Sequence, residues 1–91
     1  MIKGTATIQF GSGSVASAIG VDPNCGNGVI YMRSIAPGKI GRDIGEEISY
    51  ECIAETAEVV VYFTNLESLD MQIDTLKTLR EEMVKVKEEK E

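Results

Sequence analysis

Residues 58–69 read EVVVYFTNLESL, and this stretch decides the fold. Its first half is a nearly continuous run of β-branched and aromatic residues, so we expect residues 58–63 to form the central strand of a sheet. Thr64 and Glu67 then fit the capping-box pattern, in which a hydroxyl and a carboxylate satisfy free amides at a helix start. The sequence therefore predicts a strand that leads directly into a helix beginning at about Asn65.

The predicted helix is amphipathic and covers residues 64–87, with a frayed tail over residues 88–91. Its apolar residues recur at spacings of three and four, which makes one stripe over about five turns. Two arrangements remain open: the stripe packs on its own sheet with the distal turns in a homo-oligomer interface, or it packs wholly within one chain. The candidate interface residues are Leu69, Ile73, Leu76 and Met83.

The part before the helix, residues 1–63, is rich in strand patterns. Alternation of apolar and polar residues predicts the first strand, and the second is expected to pair back on it. The predicted strands cover residues 2–10, 15–19, 29–34, 48–53 and 58–63. The expected fold class is α+β: an antiparallel sheet of four to five strands followed by one long C-terminal helix, in a single domain over residues 1–91.

Composition disfavours several classes of function. The net charge of −6 disfavours long nucleic acids as partners, and no apolar run is long enough for a membrane span, so we expect a cytoplasmic protein. Histidine is absent, which removes the commonest general base and metal ligand, so we expect neither an enzyme nor a bound metal or cofactor. Cys25 and Cys52 are far apart and are expected to be free thiols.

Charge and glycine are unevenly distributed along the chain. Residues 1–45 hold four cations and two acids, whereas residues 46–91 hold five cations and thirteen acids. The cations of the first half lie mostly in the glycine-rich segment over residues 20–45, where backbone amides are poorly covered by side chains. A mildly basic region on an acidic chain suits a small anion better than a long polyanion.

This segment supplies the candidate ligand-binding residues. Arg33 can present a planar fork to a phosphate, while Lys39 and Arg42 add positive charge. Tyr31 can stack on a flat ring of the ligand, and Asn27 can hydrogen-bond the polar edges of the ligand. The spacing of a P-loop is missing. The alternative is that the three cations balance acids of their own or a neighbouring subunit.

The strand over residues 59–63 runs into Asn65-Leu66-Glu67-Ser68-Leu69-Asp70 and an amphipathic helix, behind a short glycine-rich sheet. This build resembles small phage-encoded proteins such as the Thoeris anti-defence sponges, which bind cyclic nucleotide or cyclic ADP-ribose immune signals between subunits. The resemblance is architectural and carries no site residue onto this chain. It implies a homo-oligomer in the host cytoplasm that sequesters a small anionic nucleotide without turnover. The alternative is a protein-interaction or structural module that docks through its C-terminal helix.

Overall fold

The structure is a computed structural model that describes Gly4, residues 7–41 and residues 48–90. Its three strands form one antiparallel sheet in the order β1-β2-β3. The α+β class and the long C-terminal helix are confirmed, but the described residues form three strands rather than four to five. The elements are β1 (Val15–Val21), β2 (Gly28–Ser34), α1 (Tyr50–Glu55), β3 (Val59–Phe63) and α2 (Leu66–Lys90).

The predicted strands over residues 15–19 and 29–34 are confirmed as β1 and β2, and β1 pairs with β2. β3 is also present, but among the described strands it lies at the edge of the sheet rather than in its centre, contrary to the prediction. A hairpin loop over residues 22–27 joins β1 to β2, and β3 then pairs with the other side of β2. The Glu58 amide donates to the Met32 carbonyl at 2.9 Å, next to the start of β3.

The predicted first strand over residues 2–10 is only partly within the described residues. Residues 7–10 belong to no strand and are exposed; residues 1–3 and 5–6 lie outside the described part. Residues 11–14 follow, and carbonyl groups in this segment accept hydrogen bonds from the chain that leaves β2. The Ile35 amide donates to the Ser14 carbonyl at 2.9 Å, and the Gly38 amide donates to the Ser12 carbonyl at 3.2 Å.

The predicted edge strand over residues 48–53 is wrong, because this region forms α1. Ser49 is the N-cap, and its hydroxyl accepts the Cys52 amide at 3.1 Å. Thr56 closes the other end: its amide and its hydroxyl donate to the Cys52 carbonyl at 3.0 Å and 2.6 Å. These local bonds satisfy end groups that a short helix otherwise leaves unpaired, so the helix forms despite the alternating sequence.

α1 covers one face of the sheet and builds a small core there. Ile53 of α1 is completely buried, and Ala16 and Ala18 of β1 are buried beside it. Three half-buried apolar residues pack against this core: Tyr31, Ile35 and Ile48. The two alanines matter because small side chains on the strand let the helix approach the sheet closely.

α2 begins at Leu66, within a residue of its predicted start, and continues to Lys90. The capping side chain differs from the prediction. Asn65, not Thr64, accepts the Ser68 amide through Oδ1 at 2.8 Å, and Asn is among the preferred N-cap residues. No residue of α2 is buried.

The chain divides into two compact units. The first comprises Met1–Gly20 and Val29–Val61 and contains the core and α1. The second comprises Val21–Gly28 and Tyr62–Glu91 and contains the hairpin loop and α2.

Candidate functional site

Arg33, the central residue of the predicted ligand set, is bonded within the first unit. Its Nη1 donates to the Thr56 hydroxyl at 2.7 Å, and its Nε donates to the Ser34 carbonyl at 3.2 Å. The Thr56 hydroxyl in turn donates to the Cys52 carbonyl in the last turn of α1. A cation here is favourable because the C-terminal end of a helix carries partial negative charge. Arg33 thus ties β2 to α1, and its partner is a hydroxyl rather than the acid that the sequence alternative named.

Tyr31 is half-buried and packs against the core cluster of Ala16, Ala18 and Ile53. The backbone of Gly20 lies on the same side: a Cβ at Gly20 would be 3.7 Å from the Tyr31 ring and 3.2 Å from Val29 Cγ1. The ring therefore serves the core, and this contact competes with the predicted stacking on a ligand.

Asn27 lies in the hairpin loop that joins β1 to β2. Its carbonyl accepts the Asp22 amide at 2.9 Å, which closes the loop. The Asp22 carboxylate accepts the Asn24 amide at 2.8 Å, and Gly26 adopts the positive φ of 74° that the turn needs. The Asn24 amide, followed by the Cys25 side chain and amide, holds the pKa of Asp22 below its usual value. Asn27 immediately precedes β2, whereas Arg33 is the sixth residue of that strand.

Lys39 contributes to a groove of about 220 Å³ that also includes Gly13 and Gly41. Both glycines have positive φ, at 68° and 81°, a conformation that residues with a Cβ rarely adopt. The groove is the described cavity that includes a cation of the predicted basic segment other than Arg33. Arg42, the remaining predicted cation, lies outside the described residues.

A second cleft, of about 260 Å³, lies where β2 ends and β3 begins. Arg33 contributes to its wall, but the guanidinium bonds Thr56. Because side chains alternate along a strand, Met32 and Ser34 lie on the face opposite Tyr31. Glu58 also lines the cleft, where its carboxylate accepts the Ser34 amide at 2.8 Å. An anion entering here meets a carboxylate, so the cleft is unsuited to phosphate.

The described part of the chain contains neither a cluster of metal-binding side chains nor a buried pair of acids. Over residues 7–41 and 48–90, no group of three or more acidic or cysteine side chains could hold a metal ion. Glu55 and Glu58 are exposed, and the other acid pair weighed from the sequence, at positions 46 and 47, lies outside the described residues. Cys25 is exposed and Cys52 half-buried, both as free thiols.

The predicted interface residues all lie on α2, and here the geometry is favourable for binding. Ile73, Leu76 and Met83 are 40%, 63% and 49% exposed, and Leu69 is half-buried. We call these four residues the α2 stripe. Leu79 and Val86 extend it along the helix and are also exposed. Exposed apolar residues in a regular stripe on a long helix are typical of interaction surfaces, and for this helix that role stays a prediction.

Sequence reasoning missed a second apolar surface. α1 packs on one face of the sheet, and the residues that alternate with the buried ones point to the other face. Ile19 is 81% exposed and Val60 is 42% exposed, while the remaining members are half-buried. We call this surface the open face; it consists of Val15, Ile19, Ile30, Met32 and Val60. No sequence signal marked this surface, because the apolar run of β3 suggested burial on both sides, whereas its alternate residues are exposed.

No protein-family model matches the chain, and searches of curated proteins and of solved structures also find no match. Among the described residues, no helix is both long enough and apolar enough to span a membrane. Function is therefore inferred from the chain's own residues and their geometry.

Proposed function

We propose that this chain is a non-catalytic interaction module that docks on a macromolecular partner through the α2 stripe. The observation that carries the proposal is that α2, with 25 residues and a regular apolar stripe, buries none of them. Recognition of an amphipathic helix by an apolar groove uses this arrangement of anchors at spacings of three and four.

The exposure of the stripe sets the scale of the interaction. Full burial of a Leu, Ile or Met side chain stabilises by about 1.5–3 kcal/mol, so a half-exposed one contributes about 1 kcal/mol on docking. Ile73, Leu76 and Met83 with their apolar neighbours then supply several kcal/mol, whereas association costs roughly 4–15 kcal/mol in lost freedom. The stripe therefore needs a partner that adds apolar surface of its own.

The rest of α2 suits a helix that is presented to a partner. Asn65 caps its start, and Lys85 pairs with Glu82 at 3.2 Å one turn apart. Such exposed pairs contribute only a few tenths of a kcal/mol, so the isolated helix gains little beyond its own backbone bonds. Docking supplies the packing that stabilises most protein helices.

The test is affinity capture by the full chain, with two matched variants. Ile73→Glu places a charge in the stripe, whereas Thr78→Glu adds the same charge on the opposite side of the helix. A partner retained by the wild type and by Thr78→Glu, but lost with Ile73→Glu while circular dichroism is unchanged, supports the proposal. Equal retention by all three proteins contradicts it.

A second candidate function is the sequestration of a small anionic nucleotide at a homo-oligomer interface. The groove beside Lys39 favours it, because this cavity brings a cation of the basic segment next to the glycine-rich backbone at Gly41. Calorimetry against cyclic dinucleotides and ADP-ribose derivatives tests it, with Lys39→Ala and Arg42→Ala as variants. Saturable binding that both variants weaken at least tenfold supports this function, and flat titrations at high ligand concentration exclude it.

A further inference from the structure

The open face is a largely exposed apolar surface in the described part of the first unit. Residues 7–9 border it at one end, where they line the cleft of about 260 Å³ together with Val15 and Met32. α1 has only six residues and packs with Ala16 and Ala18, on the other side of the sheet. Ile19, on the edge strand β1, is among the most exposed large apolar residues of the described chain. A sheet that is apolar on both faces normally has a layer packed on each.

The size of the open face matches that of the α2 stripe. β1 and β2 have seven residues each, about 23 Å at the rise of a strand, and three strands are about 14 Å wide. Residues 69–83 of α2 extend over about 21 Å at 1.5 Å per residue. A helix laid along the strands therefore covers most of the open face.

From these two surfaces we infer that a second copy of this chain is the partner of α2: the stripe of each copy covers the open face of the other. The inference rests on the function proposed above and names the partner. The exchange is reciprocal, so two copies form a closed two-fold dimer without leaving a site for a third.

The area needed for a stable dimer favours this exchange over the pairing of two α2 helices. Stripe and open face together project roughly 500 Å² per copy, and the accessible surface of such corrugated patches is larger, near the ~800 Å² per partner of a standard interface. The stripe alone supplies less than half of that area. Pairing of two α2 helices leaves both open faces bare.

Charge favours the same arrangement. Residues 66–90 hold seven acids and five cations, so two paired α2 helices bring together two net negative segments. The open face has one acid at its border, Glu58, which already accepts the Ser34 amide, so α2 meets less like charge there than on a second α2. The charged residues of α2 stay at the rim in water, where their cost is small.

Disulfide trapping between two different single-cysteine variants tests the inference. In a background of Cys25→Ser and Cys52→Ala, a chain with Ile19→Cys is mixed with a chain with Ile73→Cys and oxidised mildly. The expected product is a mixed dimer at least tenfold more abundant than with Thr78→Cys in place of Ile73→Cys. If the Ile73→Cys chain cross-links mainly to itself, or if the variant carrying both cysteines closes within one chain, the inference is overturned.

Sedimentation equilibrium separates failure of the inference from failure of the proposed function. The wild type is expected to dimerise, and Ile73→Glu and Ile19→Glu are each expected to weaken the dimer at least tenfold, while Thr78→Glu changes it less than threefold. If Ile73→Glu disrupts the dimer and Ile19→Glu does not, α2 docks elsewhere and only the inference fails. If the wild type is monomeric at high concentration, the inference fails and the capture experiment alone decides the function. A dimer that neither glutamate weakens contradicts both.

Discussion

The two helices of this protein use their residues in opposite ways. α1 has six residues, is capped at both ends and carries Ile53, which is completely buried. α2 has 25 residues and a regular apolar stripe, yet none of its residues is buried. The short helix holds the core, and the long helix leaves its apolar surface exposed.

The difference shows that an apolar pattern by itself does not say what it packs against. α1 forms and packs on the sheet because local hydrogen bonds pair the free backbone groups at its ends, and because the small side chains of Ala16 and Ala18 leave room for it. α2 has the stronger pattern, but the described residues supply no burial for it. Exposed apolar surface of this regularity is typical of an interface.

The largest effect is expected from Ile53→Ala. Removing a completely buried Ile costs about 2–5 kcal/mol, a large fraction of the stability of a small domain. Ile73→Ala, the matched change on α2, should cost less than about 1 kcal/mol in dilute solution because that side chain is already part-exposed. Urea denaturation of the two variants measures both. Equal losses would contradict the contrast between the helices.

The helix caps sharpen the comparison. Ser49→Ala removes the side chain that accepts the Cys52 amide, and a lost N-cap costs about 1 kcal/mol. Because α1 carries the core, this loss should lower the global stability. Asn65→Ala removes the equivalent bond of α2 and should instead increase amide exchange in its first turn. A fall in global stability with Asn65→Ala but not with Ser49→Ala would reverse the assigned roles.

A smaller effect is expected where Arg33 joins β2 to α1. Arg33→Ala and Thr56→Val each remove the 2.7 Å bond between the guanidinium and the hydroxyl, at a cost of roughly 0.5–1.5 kcal/mol. Since both variants remove the same bond, their effects should be less than additive in a double-mutant cycle. Strictly additive losses would mean that the two side chains act independently.

The smallest effect concerns the hairpin loop. The pKa of Asp22 is lowered in the folded chain, chiefly by the Asn24 amide, so ionised Asp22 contributes stability above the unfolded pKa near 3.8. That contribution is lost as the pH falls through the lower, folded pKa. The Asn24 amide resonance should therefore shift below about pH 4 in the wild type and stay constant in Asp22→Asn. Identical acid shifts in both proteins would assign the titration to another group.

Much of the fold was predictable because local patterns dominate it. The strands over residues 15–19 and 29–34 and the start of α2 followed from periodicity and capping, and all three are confirmed. The helix over Tyr50–Glu55 was not, because its alternation of Ile48, Tyr50 and Cys52 imitates a strand and its stability depends on Ser49 and Thr56 acting at the ends.

The site was less predictable, for a different physical reason. Residue type identifies Arg33 and Tyr31 as ligand-binding candidates, but the contacts that occupy them come from α1, which the sequence pattern assigns to a strand. The open face was missed because the apolar run of β3 indicates a central strand that is covered on both faces. The strand order is set by which side of the β1–β2 hairpin β3 pairs with, and that run does not encode it. The α2 stripe was predictable since a helix presents its own period.

Amide hydrogen exchange measured at two protein concentrations tests the central claim, that docking on a partner stabilises α2 whereas α1 is stabilised within its own chain. Between about 1 µM and 100 µM, the protection of α2 amides should rise at least tenfold in the wild type and not in Ile73→Glu, because docking on a second copy follows mass action. The α1 amides should be unchanged over the same range. Protection of α2 that is already complete at the lower concentration, or that is independent of concentration, would contradict the account.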